Sequence, residues 1–97
     1  MIDDGELDWK IIAINAEDKL ATKLHDITDV ETHMPGVISG VREWFRWYKT
    51  PDGKPLNQFG FEENALDMKY ALEVIEETNH QYLDLKAGLV EVDSIAL

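Results

Sequence analysis

The 97-residue sequence contains no cysteine. This absence excludes a disulfide framework, a zinc–thiolate site and a thiol nucleophile, and it is in keeping with an intracellular protein. Basic residues are also scarce, because nine Lys and Arg stand against twenty Asp and Glu and give a formal net charge of −11. Nucleic acids and anionic membranes recruit surfaces rich in Lys and Arg. We therefore predict neither of these as a partner.

Long apolar runs are missing as well. The longest, Ile11 to Ile14, has four residues and is far too short to cross a bilayer. The first residues are acidic, so no secretory signal is predicted, and a cytoplasmic location is favoured. The length allows one small domain or a piece of a larger one.

Acidic residues are concentrated near the beginning of the chain. Asp3, Asp4, Glu6 and Asp8 lie close together, and Lys10 follows them. Mg²⁺ prefers carboxylate oxygens and usually takes one or two of them together with waters and phosphate. A lysine beside them is a point charge suited to phosphate. The spacing does not follow the EF-hand pattern, and a solvated acidic segment remains the alternative to a metal site.

The region after this cluster is predicted to form a strand over Trp9 to Ile14, because both of its faces are largely apolar. Such a strand belongs in a barrel or a covered sheet and needs partners. No segment before residue 56 supplies one, so we expect the chain to be incomplete. A second short strand is predicted over Gln58 to Phe61.

Three helices are predicted. Thr28 and Glu31 fit a capping box for a short helix from about Asp29 to Met34. A second helix begins at Pro35–Gly36 and ends near Lys49, and a third follows Asn64 as N-cap and ends near Ala87 before Gly88. The second carries an apolar stripe expected to face the core: Val37, Ile38, Val41, Trp44, Phe45 and Tyr48. The third carries a face made of Ala71, Leu72, Ile75, Thr78, Tyr82 and Leu85.

The end of the second helix holds a second candidate site, Tyr48 and Lys49. Tyr48 lies in the apolar stripe, so packing in the core explains it, and Lys49 is well placed against the helix dipole. A phosphate-binding role for the pair stays open beside these explanations. Thr50 to Pro55 is predicted to form a turn, because proline and Asp–Gly supply its backbone angles.

Several strings in this order resemble the family I soluble inorganic pyrophosphatases of the eukaryotic type. They are Asp3-x-Gly5-Glu6-x-Asp8-Trp9-Lys10, Ile11-Ile12-Ala13-Ile14, Asp29-Val30-Glu31 and Trp44-Phe45-Arg46-x-Tyr48-Lys49-x-Pro51-Asp52-Gly53-Lys54-Pro55-x-Asn57-x-Phe59. The resemblance covers residues 1–88, as the C-terminal part of the domain, and leaves 89–97 as an unassigned tail.

The resemblance implies an α+β fold: an OB-type β-barrel with packed helices, of which this chain holds one partial barrel strand and two main helices. It implies hydrolysis of pyrophosphate to two phosphates with Mg²⁺, and a homodimer for the intact protein. Asp3 and Asp8 match metal ligands of the family, and Lys10, Tyr48 and Lys49 match phosphate-binding residues. Asp4 and Glu6 match acidic positions that do not bind the metal directly.

The chain also departs from the family. The family's Asp-x-Asp-Pro-x-Asp signature, with three more metal ligands, precedes the Asp3 position and has no counterpart here. No catalytic residue is therefore assigned within the 97 residues, and the chain alone is expected to be inactive. The alternatives are a non-catalytic interaction fragment and an acidic cation-binding module.

Overall fold

A computed structural model describes residues 1–88. It contains a two-stranded antiparallel sheet and three α-helices. The elements are β1 (Ile2–Asp3), β2 (Glu6–Leu7), α1 (Ile27–His33), α2 (Val37–Trp47) and α3 (Met68–Lys86), with 3₁₀ turns at Thr50–Asp52 and Phe61–Glu63. This is an α+β arrangement. The predicted tail, residues 89–97, lies outside the described residues.

The acidic cluster forms a tight β-hairpin. Ile2 pairs with Leu7 and Asp3 with Glu6, so Asp4 and Gly5 are the two loop residues. Both have positive φ, 50° and 79°, as the primed turns of two-residue hairpins require. Asp–Gly is a strong sequence signal for such a turn, yet the sequence prediction placed no hairpin here.

The strand predicted over Trp9 to Ile14 is wrong. This segment has no regular secondary structure, and Ile11, Ile12 and Ile14 are 43%, 50% and 37% exposed. Within residues 1–88 the strand edge that continues the hairpin is taken by Gln58, which forms an antiparallel bridge with Ile2. No strand of residues 1–88 pairs with Trp9 to Ile14, and an apolar segment without a partner strand forms no ladder, whatever its β-propensity.

Helix α1 begins earlier than predicted because Asp26, not Thr28, caps it. The Asp26 side chain and the Asp29 side chain form a reciprocal capping box. Asp26 Oδ1 accepts hydrogen bonds from the backbone N–H groups of Ile27, at 2.6 Å, and Met68, at 2.8 Å. One carboxylate therefore joins the beginnings of α1 and α3.

Helix α2 spans the predicted region but does not bury the predicted stripe. Ile38 is buried at 7% exposure, whereas Trp44 is 61% and Tyr48 40% exposed. The expectation that Trp44 and Tyr48 pack in the core is thus wrong for the described residues. The helix begins after Gly36, whose φ of 88° is easily adopted only by glycine.

Helix α3 begins after Asp67, whose side chain accepts a hydrogen bond from the Tyr70 N–H at 2.9 Å; Asn64 is not its N-cap. Val74 is its buried residue, at 6% exposure. Leu72, Ile75 and Tyr82 of the predicted inner face are exposed. Within residues 1–88, no helix is both long enough and apolar enough to cross a membrane.

An aromatic cluster holds the segment before α3 against the residues that follow the hairpin. The ring of Trp9 lies 5.8 Å from Phe61 and 5.5 Å from Tyr70, centroid to centroid. Phe61, Glu62 and Glu63 have φ of 56°, 56° and 65°, a left-handed region that costs residues with a Cβ roughly 1–2 kcal/mol each. The same segment is held to α2 by an ion pair between Arg46 and Glu63.

Asn57 and Gln58, which we call the Asn57–Gln58 clamp, connect the hairpin to α2. Asn57 is 4% exposed; its Nδ2 donates to the Phe45 carbonyl at 2.9 Å and its backbone N–H to the Arg46 carbonyl at 3.1 Å. Gln58 exchanges two backbone hydrogen bonds with Ile2, of 2.6 and 3.1 Å. The clamp therefore binds the last turn of α2 on one side and β1 on the other.

Asp26→Ala is expected to lower the free energy of unfolding by about 1–2 kcal/mol, because two helix N-termini lose an acceptor. Urea denaturation followed by circular dichroism measures it. Asp26→Asn, which keeps an oxygen acceptor, should retain most of the stability. Equal losses in the two variants would contradict the capping role.

Asn57→Ala is expected to lower the free energy of unfolding by roughly 1–3 kcal/mol, because the Phe45 carbonyl loses its donor inside the molecule. Asn64→Ala is the control, since it deletes the same amide at an exposed position. Thermal unfolding of both variants checks the difference. A similar melting temperature for the two would contradict the clamp.

Candidate active-site wall

The hairpin and the end of α2 meet through an ion pair between Asp3 and Lys49. Lys49 Nζ donates to Asp3 Oδ1, and the two side chains are 24% and 19% exposed for Asp3 and Lys49. Lys49 follows the last turn of α2, and Asp3 is the last residue of β1. A predicted phosphate-binding lysine and a predicted metal ligand, 46 residues apart in sequence, are therefore in direct contact.

A second ion pair joins the other two predicted charged residues. Lys10 Nζ lies 3.1 Å from Asp8 Oδ2. The same ammonium lies over the Phe45 ring, 5.2 Å from its centroid, which is a cation–π contact. Lys10 is thereby held beside α2 although its own segment has no regular structure.

Tyr48 belongs to the same surface through its aromatic neighbours. Its ring stacks on Trp44 with centroids 5.0 Å apart and meets the edge of Phe45 at 5.8 Å. Phe45 thus contacts both Lys10 and Tyr48. Tyr48 as a whole is 40% exposed.

The contacts bring the five predicted site residues together in two groups, one of two residues and one of three. Asp3 pairs with Lys49, Asp8 pairs with Lys10, and Phe45 lies between Lys10 and Tyr48. Phe45 is the residue whose role at the site sequence reasoning missed. Its spacing of three residues from Tyr48 on one helix is the signal that could have indicated it. The roles of the five in binding stay predictions.

The remaining acidic residues of the cluster are more exposed. Asp4, in the turn, has a side chain 64% exposed and 3.9 Å from Lys49 Nζ. Glu6 is exposed and pairs with Asp3 across the hairpin through the backbone. Their placement is compatible with the prediction that neither binds a metal directly.

The carboxylate oxygens of Asp3 and Asp8 are suitable ligands for part of the coordination shell of a metal ion. Across residues 1–88, no three His, Asp or Glu side chains are grouped so as to hold a metal ion. Mg²⁺ commonly uses only one or two carboxylates and completes its shell with waters and phosphate oxygens. Asp3 and Asp8 fit that use, and further protein ligands would have to come from elsewhere.

The contact with Asp3 affects the ionisation of Lys49. The hydrogen bond to Asp3 raises the pKa of Lys49 above its ordinary value of 10.5, and the charges of Asp3 and Asp4 act in the same direction. Lys49 is therefore a full cation at neutral pH.

Comparison with known proteins decides the family. The sequence profile described as inorganic pyrophosphatase matches residues 1–83. The chain belongs to the inorganic pyrophosphatase family. It is 54% identical over 88 residues to soluble inorganic pyrophosphatase 1, chloroplastic, of Chlamydomonas reinhardtii, covering 91% of this chain and 31% of that protein. It is 46% identical over 97 residues to soluble inorganic pyrophosphatase 6, chloroplastic, of Arabidopsis thaliana, covering 100% of this chain and 32% of that one.

Solved structures of inorganic pyrophosphatases share the fold. The enzyme of Schistosoma japonicum superposes with a TM-score of 0.85 at 47% identity, over 88% of this chain and 30% of that one. A truncated vacuolar soluble pyrophosphatase of Trypanosoma cruzi in complex with PPi gives 0.86 at 39% identity, over 90% and 33%. The chain thus spans about a third of the length of its relatives.

The Asp3–Lys49 pair should make stability depend on pH in alkaline solution. A lysine whose pKa is raised by folding stabilises the native state fully below 10.5, and this contribution is lost as pH rises through the raised value. The difference in unfolding free energy between wild type and Lys49→Met should be constant from pH 7 to about 10 and shrink above that. Lys54→Met, at an exposed position, is the control. A difference that stays constant to pH 12 would contradict the pair.

Proposed function

We propose that this chain supplies one wall of an Mg²⁺-dependent inorganic pyrophosphatase site that hydrolyses diphosphate to two phosphates. The observation that carries the proposal is that each predicted metal carboxylate forms an ion pair with a predicted phosphate-binding lysine, Asp3 with Lys49 and Asp8 with Lys10. Membership of the family and the likeness to a structure solved with PPi support it.

The proposed roles follow from charge and geometry. Asp3 and Asp8 hold Mg²⁺, which when bound would neutralise the polyanion and acidify a water. Phosphate oxygens are bound by Lys10, Tyr48 and Lys49. The two lysine ammonium groups neutralise the negative charge that accumulates as the bridging oxygen leaves, and the Tyr48 phenol donates a hydrogen bond. Phe45 positions Lys10 and Tyr48 through its ring. Within the described part of the chain, 1–88, we assign no side chain to the activation of the attacking water.

We propose further that residues 1–88 are the C-terminal part of a larger domain built on an OB-type barrel. The exposed apolar side chains support this, because large exposed apolar patches usually mark a surface that another element covers. Trp44, Trp47, Leu72 and Tyr82 are each more than half exposed. The rest of such a domain would cover them.

Two finer points are also proposals. The intact protein is proposed to form a homodimer. A cytoplasmic location is proposed from the sequence, although two relatives carry the word chloroplastic in their names; localisation of a tagged full-length protein distinguishes the two.

A chimera tests the function. Residues 1–88 replace the matching segment of the Chlamydomonas relative, and phosphate release from pyrophosphate is measured with Mg²⁺. The chimera is expected to be active, whereas the 97-residue chain alone is expected to be inactive because it lacks the remaining ligands. Asp3→Asn and Lys49→Met in the chimera should each reduce activity at least tenfold, on the order of one lost charged contact.

The control in the chimera is Glu6→Gln, which removes a charge from the same hairpin outside the proposed site. It should leave activity within twofold of the parent. A folded chimera without activity, or equal losses for Glu6→Gln and Asp3→Asn, would overturn the assignment. Mg²⁺ binding without hydrolysis would favour the cation-binding module instead.

A further inference from the structure

The ion pair between Lys49 and Asp3 brings two predicted binding groups into contact with each other. Lys49 Nζ donates to Asp3 Oδ1, and Asp4 Oδ2 lies 3.9 Å from the same ammonium. While this contact lasts, one oxygen of Asp3 and one proton of Lys49 are engaged. Neither group is then fully free for a metal ion or a phosphate.

We propose that Lys49 is an exchangeable counter-ion of Asp3: a divalent cation that binds Asp3 displaces the ammonium, which then becomes available to a phosphate oxygen. This inference rests on the proposed function and adds to it the order in which the cation and the phosphate bind. Cation binding and phosphate binding would be positively coupled through the release of Lys49, since each event removes a competitor of the other.

The surroundings of the pair permit such an exchange. Both side chains are partly accessible, 24% exposed for Asp3 and 19% for Lys49, so a hydrated cation can reach the carboxylate. Lys49 has a flexible four-carbon stem, whereas its backbone carbonyl is held by hydrogen bonds from the N–H groups of Asp52, at 3.1 Å, and Lys54, at 3.4 Å. The ammonium can therefore move while its point of attachment stays in place.

The ion pair between Lys10 and Asp8 has an additional aromatic contact, and this difference makes Lys49 the residue that exchanges. Lys10 lies 3.1 Å from Asp8 but also over the Phe45 ring. If a cation takes Asp8, the ring still holds the Lys10 ammonium near its position. Across residues 1–88 the contacts of the Lys49 ammonium are with Asp3 and Asp4, two carboxylates of one hairpin, and loss of the first leaves it little restraint.

The test follows the Asp3 carboxyl carbon and the Lys49 ammonium of the chimera by NMR during titration with MgCl₂, because the chimera supplies the remaining metal ligands. Both signals are expected to change together, with one apparent dissociation constant. KCl at matched ionic strength is the control for screening, which weakens exposed ion pairs without a specific cation. Inorganic phosphate added afterwards should shift the Lys49 signal again, and should do so far less without Mg²⁺.

Calorimetry of two variants, Lys49→Met and Lys54→Met, provides a second measurement, the affinity for Mg²⁺. Lys49→Met should tighten Mg²⁺ binding about two- to fivefold in the absence of phosphate, the range expected when an exposed ion pair no longer competes. Lys54→Met should change it less than Lys49→Met. In the NMR titration, Asp3→Asn should abolish the response of the Lys49 signal to Mg²⁺.

The outcomes separate this inference from the proposed function. If Mg²⁺ changes the Asp3 signal while Lys49 stays unchanged, or if Lys49→Met does not tighten binding, the exchange is wrong and the metal role of Asp3 stands. If saturating Mg²⁺ leaves Asp3 unchanged with and without phosphate, the metal role itself is overturned and the exchange with it.

Discussion

The Asn57–Gln58 clamp is the contact on which the arrangement of the site depends. Asn57 is the buried polar residue of the described chain, and it satisfies two carbonyls at the end of α2 that would otherwise lack donors. Gln58, its neighbour, pairs with β1. Because one dipeptide holds both elements, the ammonium of Lys49 and the carboxylate of Asp3 come within contact distance. A buried amide is well suited to this task, since breaking its hydrogen bonds inside the protein is costly.

Around this clamp the molecule has little interior. Met1, Ile38 and Val74 are the buried apolar residues among those described, and local capping contributes much of what fixes the helices. Asp26 joins two helix beginnings, and the rings of Phe61, Trp9 and Tyr70 contact one another although the backbone of Phe61 is unfavourable. A small interior and exposed apolar faces are typical of a segment that packs against further structure. It agrees with a chain that spans about a third of the length of its relatives.

The chemistry of the site follows from interleaved charges. Each predicted metal carboxylate is paired with a predicted phosphate-binding lysine, and the exposed carboxylate of Asp4 lies 3.9 Å from the Lys49 ammonium. A polyanion alone would meet lysines already engaged by carboxylates, and a cation alone would meet carboxylates already engaged by lysines. Carboxylates and lysines of this surface therefore compensate one another before any ligand binds.

The sequence by itself determined the family, the approximate extent of α2 and α3, and the five candidate residues, because a long motif and helical periodicity are properties of local sequence. It did not determine the strands. Trp9 to Ile14 has the composition of a strand but no partner strand within residues 1–88, whereas the hairpin depends on a turn at Asp4–Gly5. Only the tertiary structure decided that Trp44 and Tyr48 remain exposed, that Phe45 connects Lys10 with Tyr48, and that Lys49 rests on Asp3. These depend on long-range contacts, which periodicity cannot reveal because it reports which face of an element is apolar and not what lies opposite.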